Sequence, residues 1–402
     1  KINRRTPITG YVPRNMAEWT GNIYREKIFQ HALDAVKARP QLSEVNCLTY
    51  KEILVLGKNS PALRPTMYDF LVYRSIDILN TISRYNKQEP ITNKQLLFAP
   101  VKEFVQMPIE VKKMDAYSNT LKLYQSLLQS EIAAERTDAI LISDLDRLEY
   151  ANNVIGLSQN DSLYIQSLEQ LSQQYSKNPY KVEILYKLAQ YYYQGNYISS
   201  NRDPQKALDI CNNGIRQFPK YFRIDVLKQL AKEITQTTVS YSINPNVYPG
   251  HKQEVNLSFK NLSEISISLY KITESTLEYL NLNKRVPKLE KISTHTYRLP
   301  KRLDSQDTIL RLPVPNTGRY QLTMSYANNS KADSSYFSSS RLSTIARKTG
   351  ETSYNVLVCD LISGKPIEGA KVKIYKRNGQ KYSLAGEFSS DRNGIATLNE
   401  SN

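Results

Sequence analysis

The hydrophobic period changes once along this chain of 402 residues, close to Thr238, and that change constrains the fold more than any single motif. Before it, apolar residues recur at helical spacing. Leu121, Tyr124, Leu128 and Ile132 stand at i, i+3, i+7 and i+11, one face of an α-helix. After it, apolar and polar residues alternate. Val255, Leu257 and Phe259 alternate with Glu254, Asn256 and Ser258, and Ile265, Ile267 and Leu269 alternate with Ser266 and Ser268. Tyr320, Leu322, Met324 and Tyr326 repeat the pattern after the turn sequence Pro315-Asn316-Thr317-Gly318. A period of two buries one face of a strand and cannot serve a helix. The sequence therefore predicts a multidomain α plus all-β chain: a helical domain over 1–237, an antiparallel β-sandwich over 238–332, and the start of a second sandwich over 341–402.

Within the helical part, helices are expected over 17–37, 66–85, 111–134, 138–154 and 163–176, with a long proline-flanked loop over 88–106. A clearer pair follows. Val182, Leu185, Leu188, Ala189 and Tyr192 make an amphipathic helix that ends near Gly195. Asp203-Pro204 reads as an N-cap followed by proline at the first helical position. Leu208, Cys211, Ile215 and Phe218 then form the buried stripe of the next helix, which Pro219 stops. This pair resembles a tetratricopeptide repeat at Leu185, Leu188, Ala189, Tyr192, Ala207 and Pro219, with a longer loop between the helices. Such hairpins cannot bury their faces alone and stack into a solenoid or bundle. Among Tyr191, Tyr192, Tyr193 and Tyr197, Tyr192 is expected to pack inward and its neighbours to sit at the helix edge.

In the β part, Asn261-Leu262-Ser263-Glu264 reads as a hairpin turn and residues 327–340, rich in Asn, Ser and Ala, as a linker or mobile loop. Val356 and Val358 then alternate with Asn355 and Leu357. Gly364-Lys365-Pro366 turns the chain, Ala370, Val372 and Ile374 share a face, and Asn378-Gly379 and Asn393-Gly394 mark further turns. A closed sandwich takes roughly seven strands in about 100 residues, and only about 50 follow Thr349, so this second module is expected to be truncated within a longer parent.

The net charge of +16 raises the question of nucleic acid. Residues 1–235 hold 31 Lys and Arg against 24 Asp and Glu, and residues 236–402 hold 23 against 14. The excess is spread along the chain rather than gathered into a stripe, which argues against nucleic-acid binding. Its densest cluster, Lys371, Lys373, Lys376 and Arg377, lies on an expected strand, where lysine discourages edge pairing. Cys47, Cys211 and Cys359 have no metal-ligand spacing and read as small buried hydrophobes. No apolar run reaches the roughly 18 residues of a membrane span.

Catalytic motifs do not emerge. His31, His251 and His295 stand in no HExxH and beside no plausible nucleophile and carboxylate, and read as structural or surface histidines. Ser143-Asp144-Leu145-Asp146 places two carboxylates two apart, on different faces of a helix. Asp391-Arg392-Asn393-Gly394 lacks the remaining ligands of a calcium loop and reads as a β-turn. The sequence assigns no catalytic, cofactor-binding or metal-ligating residue, and the expectation is a protein that is not an enzyme.

Several segments resemble the bacterial α-2-macroglobulin family of the Bacteroidetes type. These are Phe259-Lys-Asn-Leu262 through Ile267-x-Leu-Tyr-Lys271, Pro315-x-x-Gly-x-Tyr320, and Leu342-Ser-Thr-Ile-Ala-Arg347 through Tyr354-x-x-Leu-Val-x-Asp360. Gly364-Lys-Pro-x-x-Gly-Ala-x-Val372 is the sharpest, and Arg64-Pro-Thr-Met-Tyr-Asp-Phe70 the one in the helical part. The resemblance implies macroglobulin-like sandwiches and an N-terminal scaffold fragment of an endopeptidase inhibitor whose parent traps proteases, at the periplasm or cell surface and with envelope tethering. Its partners would be the rest of the parent chain and, through it, the target proteases. The family's Cys-x-Glu-Gln thioester is not matched: Cys47 precedes Leu-Thr-Tyr, Cys211 precedes Asn-Asn-Gly and Cys359 precedes Asp-Leu-Ile. The alternative from the residues is a cell-envelope adhesion or protein-interaction module, with helical hairpins that bind a peptide and sandwiches as spacers.

Overall fold

A computed structural model describes residues 11–83, 94–112, 114–155, 161–195, 202–282, 285–327, 333–350 and 353–399. The chain divides into two compact units, Lys1–Ile234 and Thr235–Asn402.

The first unit is helical: α1 (Gly21–Asp34), α2 (Arg39–Glu44), α3 (Ser60–Leu63), α4 (Met67–Ser83), α5 (Lys94–Leu97) and α6 (Val101–Phe104), then α7 (Ala116–Ala133), α8 (Thr137–Ile155), α9 (Asp161–Gln174), α10 (Lys181–Gln194), α11 (Pro204–Gln217) and α12 (Asp225–Thr235). Caps set the starts. The Asp115 side chain accepts from Ser118 N at 2.8 Å ahead of α7, and Asp203 accepts from Lys206 N at 2.9 Å ahead of α11, with Pro204 in the first turn. At α4, Thr66 and Asp69 cap each other: Asp69 N donates to Thr66 Oγ1 at 3.2 Å and Thr66 N to Asp69 Oδ2 at 3.1 Å. Successive helices α7, α8, α9, α10 and α11 pack pairwise, and α4 packs on α1 and α7. Leu79, Phe104, Leu127, Leu128, Leu141 and Leu168 are fully buried in their shared core. Each such side chain contributes about 1.5–3 kcal/mol by leaving water.

Three readings of this unit are corrected. Within the segment expected to be a loop, residues 94–104 supply α5 and α6, while 88–93 lie outside the described residues. The reason is Arg147, 1% exposed, which holds that segment against α8. Its guanidinium donates to Leu97 O and, at 3.0 Å, to Ala99 O, is paired with Asp144, and lies 4.5 Å from the Phe104 ring. Ile132 is 38% exposed, so the buried stripe of α7 ends at Leu128. Tyr192 packs partly buried against the helical core as expected, but its neighbour Tyr193 is buried as well rather than left at the helix edge, and Tyr197 lies outside the described residues.

The second unit is β. Its first part has β1 (Thr238–Ile243), β3 (Lys252–Lys260) and β6 (Gln306–Pro313) in one sheet, ordered β1-β3-β6. The facing sheet has β2 (Asn246–Val247), β4 (Glu264–Ile272), β5 (Leu289–Arg298), β7 (Gly318–Ser325) and β8 (Asp333–Ser339), ordered β2-β8-β7-β4-β5. Pairing is antiparallel except for the short β2–β8 pair. Val255, Leu257 and Phe259 meet Ile265, Ile267 and Leu269 in the core, with Tyr320, Leu322 and Met324 beside them. These are the alternating residues of the sequence, and the two inner faces make the sandwich.

Two turn readings change. Asn261–Glu264 is no hairpin, because β3 and β4 belong to different sheets; the segment carries the chain across the sandwich. Asn261 sits at φ +53°, its N–H donates to Arg302 O at 2.7 Å and its side-chain amide to Thr235 O, which fixes the corner. Residues 333–339 form β8 and not a linker, and 328–332 lie outside the described residues.

The second part of this unit has β9 (Leu342–Lys348), β10 (Ser353–Asp360) and β13 (Ile395–Asn399) in the order β13-β10-β9, and a hairpin of β11 (Lys371–Asn378) and β12 (Lys381–Ser389). Val358, Cys359 and Ala396 are its buried apolar residues among those described. Gly394 is at φ +75°, and a Cβ there would lie 2.5 Å from Val358 O, so only glycine suits this turn.

Two ties join the parts. Tyr248 OH donates to Asp360 Oδ2 at 3.1 Å and accepts from Arg341 Nε at 3.1 Å. A short helix, α13 (Thr276–Leu280), ends at Asn281, whose side chain pairs twice with the backbone of Tyr382: Nδ2 donates to Tyr382 O at 2.9 Å and Oδ1 accepts from Tyr382 N at 2.7 Å. The register puts Val247, Ser339, Gly318, Ile272 and Leu289 at one end of the five-stranded sheet. Both ties therefore leave from that end, one at the β2 edge and one beside the β5 edge.

Candidate functional site

The helical unit holds an open cleft of about 430 Å³. Its floor is α8, which presents Ile142, Leu145, Asp146 and Glu149, at i, i+3, i+4 and i+7. One wall is α10, through Glu183, Tyr186 and Lys187, and another is the segment Tyr221, Phe222 and Arg223. The lip runs from Gly57 to Ser60 and on to Leu63 and Arg64.

The heptapeptide from Arg64 to Phe70 organises the lip. Pro65 O accepts from Cys47 N and Val45 O accepts from Met67 N, each at 2.8 Å, which lays the preceding segment beside the start of α4. Asp69, fully buried, takes both nitrogens of the Arg136 fork at 2.6 and 3.0 Å. Tyr68 is buried beneath the guanidinium of Arg39 at 5.5 Å. Arg64 itself stacks on the Tyr73 ring, 3.3 Å from its centroid.

Behind Arg64 lies a chain of hydroxyls and carboxyls. Tyr73 OH donates to Asp146 Oδ2 at 2.9 Å, Tyr73 OH and Ser143 Oγ are 3.1 Å apart, and Ser143 Oγ reaches Glu131 Oε1 at 2.8 Å. Three links need three hydrogens, and the two hydroxyls supply two. With both acids ionised, Ser143 donates to Glu131, Tyr73 donates to Asp146, and the Ser143–Tyr73 link has none. A proton on Glu131 fills all three. Burial pushes the Glu131 carboxyl up to about 8, so the buried acid carries that proton at neutral pH. Loss of hydration at the cleft floor raises Asp146 to about 6, against the hydrogen bond from Tyr73 and the Arg64 charge, which lower it. Burial also holds the Tyr73 phenol well above its ordinary value.

The cleft's ion pairs are partly closed. Lys187 Nζ lies 2.7 Å from Glu149 Oε1, and Arg223 Nη1 lies 3.3 Å from Glu183 Oε2, while Tyr221 OH donates to Glu183 Oε1 at 3.0 Å. Tyr180, Tyr221 and Phe222 pack edge to face or tilted at 4.6 to 6.2 Å between centroids, and Phe222 stays 46% exposed. Charged donors beside aromatic faces equip the cleft to bind.

The residues weighed in the sequence fall elsewhere or divide. Asp144 turns inward to Arg147 while Asp146 faces the cleft, as residues two apart on a helix must. His31 ends α1, His251 lies 5.5 Å from Tyr248, and His295 sits on β5 opposite Ile267. Asp391 Oδ1 accepts from Asn393 N at 2.9 Å and Ile395 N at 2.8 Å, so backbone donors occupy it in a turn. Glu387 lies between Lys371 and Lys373 at 3.8 and 3.4 Å. Cys47, Cys211 and Cys359 are free and buried, with Cys211 pushed by burial up to about 12. Among the described residues no group of three or more His, Cys, Asp or Glu stands ready to hold a metal ion, and no helix is long and apolar enough to cross a membrane. Glu131, Tyr73 and Arg147 were not singled out from sequence. The available signal was Asp144 and Arg147, an i, i+3 charged pair on a helix otherwise lined with leucine.

No family model and no curated protein matches the chain. Among solved structures, a mutant α-2-macroglobulin from Salmonella is similar over 41% of this chain and 10% of its own, at 16% identity and a TM-score of 0.31. The three N-terminal domains of the highly immunogenic outer capsid protein of bacteriophage RB49 are similar over 42% of this chain and 58% of their own, at 17% identity and a TM-score of 0.15. This chain spans about a tenth of the first and just over half of the second. Neither score assigns a family, and the architecture rests on the strand pairing described above.

Proposed function

We propose that the chain is a non-catalytic scaffold of an α-2-macroglobulin-like endopeptidase inhibitor, working outside the cytoplasm at the periplasm or cell surface. Trapping of proteases would belong to the parent protein, and this part would supply a helical unit and β modules linked in series. The observation that carries the reading is that the two β parts are joined by Tyr248, Arg341 and Asp360 at one tie and Asn281 and Tyr382 at another. Serial β modules held to one another at two points are what a domain string needs if cleavage elsewhere is to be passed along it. The complete reading frame tests this. Further sandwich domains beyond residue 402, with inhibition of an added endopeptidase by the full protein, are expected; a frame ending close to residue 402 overturns it.

The cleft favours a second reading, a protein-interaction module of the cell envelope whose helical unit docks a partner segment. Its support is the exposed Phe222 in the same cleft as Lys58 and as Arg64, whose one ion pair is the 3.6 Å approach to Asp146.

A further inference from the structure

We propose that Arg64 is the anion-reading residue of the helical cleft, and that the cleft takes an acidic, partly apolar segment of another polypeptide, with a side-chain carboxylate of that segment held on the Arg64 guanidinium. The proposal rests on the interaction reading above and names what that interaction recognises.

The groups already occupied in the cleft favour an anion. Each acid in the cleft already has a donor: Asp146 from Tyr73 at 2.9 Å, Glu149 from Lys187 at 2.7 Å, and Glu183 from Tyr221 at 3.0 Å. Two cations are less fully engaged. Among the described residues the Arg64 side chain donates no hydrogen bond, and its nearest carboxylate oxygen, on Asp146, is 3.6 Å away. Lys58, exposed on the lip, has no ion pair or hydrogen-bond partner there either. An incoming cation would find its acceptors taken, and an incoming carboxylate would find two donors open.

Arg64 is also held in place for the task. Its plane lies on the Tyr73 ring, so the fork is ordered before a ligand arrives, and little side-chain freedom remains to be lost. A planar fork matches a carboxylate in a two-point bond, which a lysine cannot make. The apolar half of the ligand follows from the surroundings. Phe222 is 46% exposed in the cleft wall, and Leu63 and Ile142 also line it. Exposed apolar surface around a charged centre fits a polypeptide segment better than a small anion.

The test uses the intact chain and two fluorescein-labelled peptides of equal length, one alternating Glu with Leu and the other Lys with Leu, followed by fluorescence anisotropy. The Glu–Leu peptide is expected to bind and the Lys–Leu peptide not to compete. Arg64→Lys and Arg64→Ala are expected to weaken binding by about tenfold or more, the effect of losing a charged two-point bond. Lys58→Glu, fully on the surface, is expected to weaken it with no change in thermal unfolding, which separates recognition from folding. Equal affinity for wild type, Arg64→Lys and Lys58→Glu overturns the assignment. Binding of the Lys–Leu peptide that Phe222→Ala abolishes overturns the anion chemistry alone and leaves the docking cleft standing. If neither peptide binds, the docking reading of this cleft falls with it.

Discussion

Glu131 has no exposed surface, and its Oε2 has no hydrogen-bond partner. Such a group costs stability when ionised and little when protonated. Its folded value, about 8, lies above the 4.5 of the free side chain, so the folded state binds the proton more tightly. Stability is therefore fully present below pH 4.5, falls as pH rises, and has lost this contribution above pH 8. Asp146, raised from 3.8 to about 6, acts in the same direction at lower pH. Between about pH 6.5 and 8 Glu131 dominates the pair, with a slope of up to ~1.4 kcal/mol per pH unit. Glu131→Gln keeps the shape and supplies the missing hydrogen to Ser143. Urea unfolding at pH 6.5 and 8 is expected to show the wild type losing stability and Glu131→Gln holding nearly level; a wild type already level across that range would show Glu131 to be ionised.

At the scale of elements, Gly214 on α11 measures how closely the last helices pack. A Cβ there would lie 2.5 Å from Leu227 Cδ1 and 2.9 Å from Leu185 Cδ1. Alanine brings about 1 kcal/mol of helix propensity and overpacks by about 1–3 kcal/mol. Gly214→Ala is expected to destabilise by about 1 kcal/mol, while Asn212→Ala on the exposed face of the same helix stabilises by a few tenths; thermal melts of both check the pair. The same close packing separates what sequence reading recovers from what it misses. Strands β3, β4 and β7 were visible because one face is buried along their whole length. Strand β8, Asp-Ser-Ser-Tyr-Phe-Ser-Ser, has one fully buried hydrophobe, Phe337, and its membership comes from β7 beside it. The corner at Asn261 looks like a turn locally; only the pairing of its flanking strands shows that it changes sheets. Tyr192 and Tyr193 differ by about 100° around a helix, finer than spacing alone resolves. Arg64 entered through a motif, but its free donors depend on Tyr73, Asp146 and Phe222, which lie far from one another in the chain.

At the scale of the β unit, the two ties decide whether its parts unfold together. Neither Tyr248→Phe nor Asn281→Ala alone removes both, so each is expected to lower the main calorimetric transition slightly. The double variant is expected to split it into two, with the smaller part, whose buried apolar residues are Val358, Cys359 and Ala396, melting first. A single sharp transition in the double variant would mean that other contacts carry the coupling. A body hung from one point swivels. Held at both corners of one edge, roughly 19 Å apart by four strand spacings, it can only hinge about the line between them. The second β part is thus left one axis of rotation, and a pull on it is delivered to the sandwich as a bend rather than a twist.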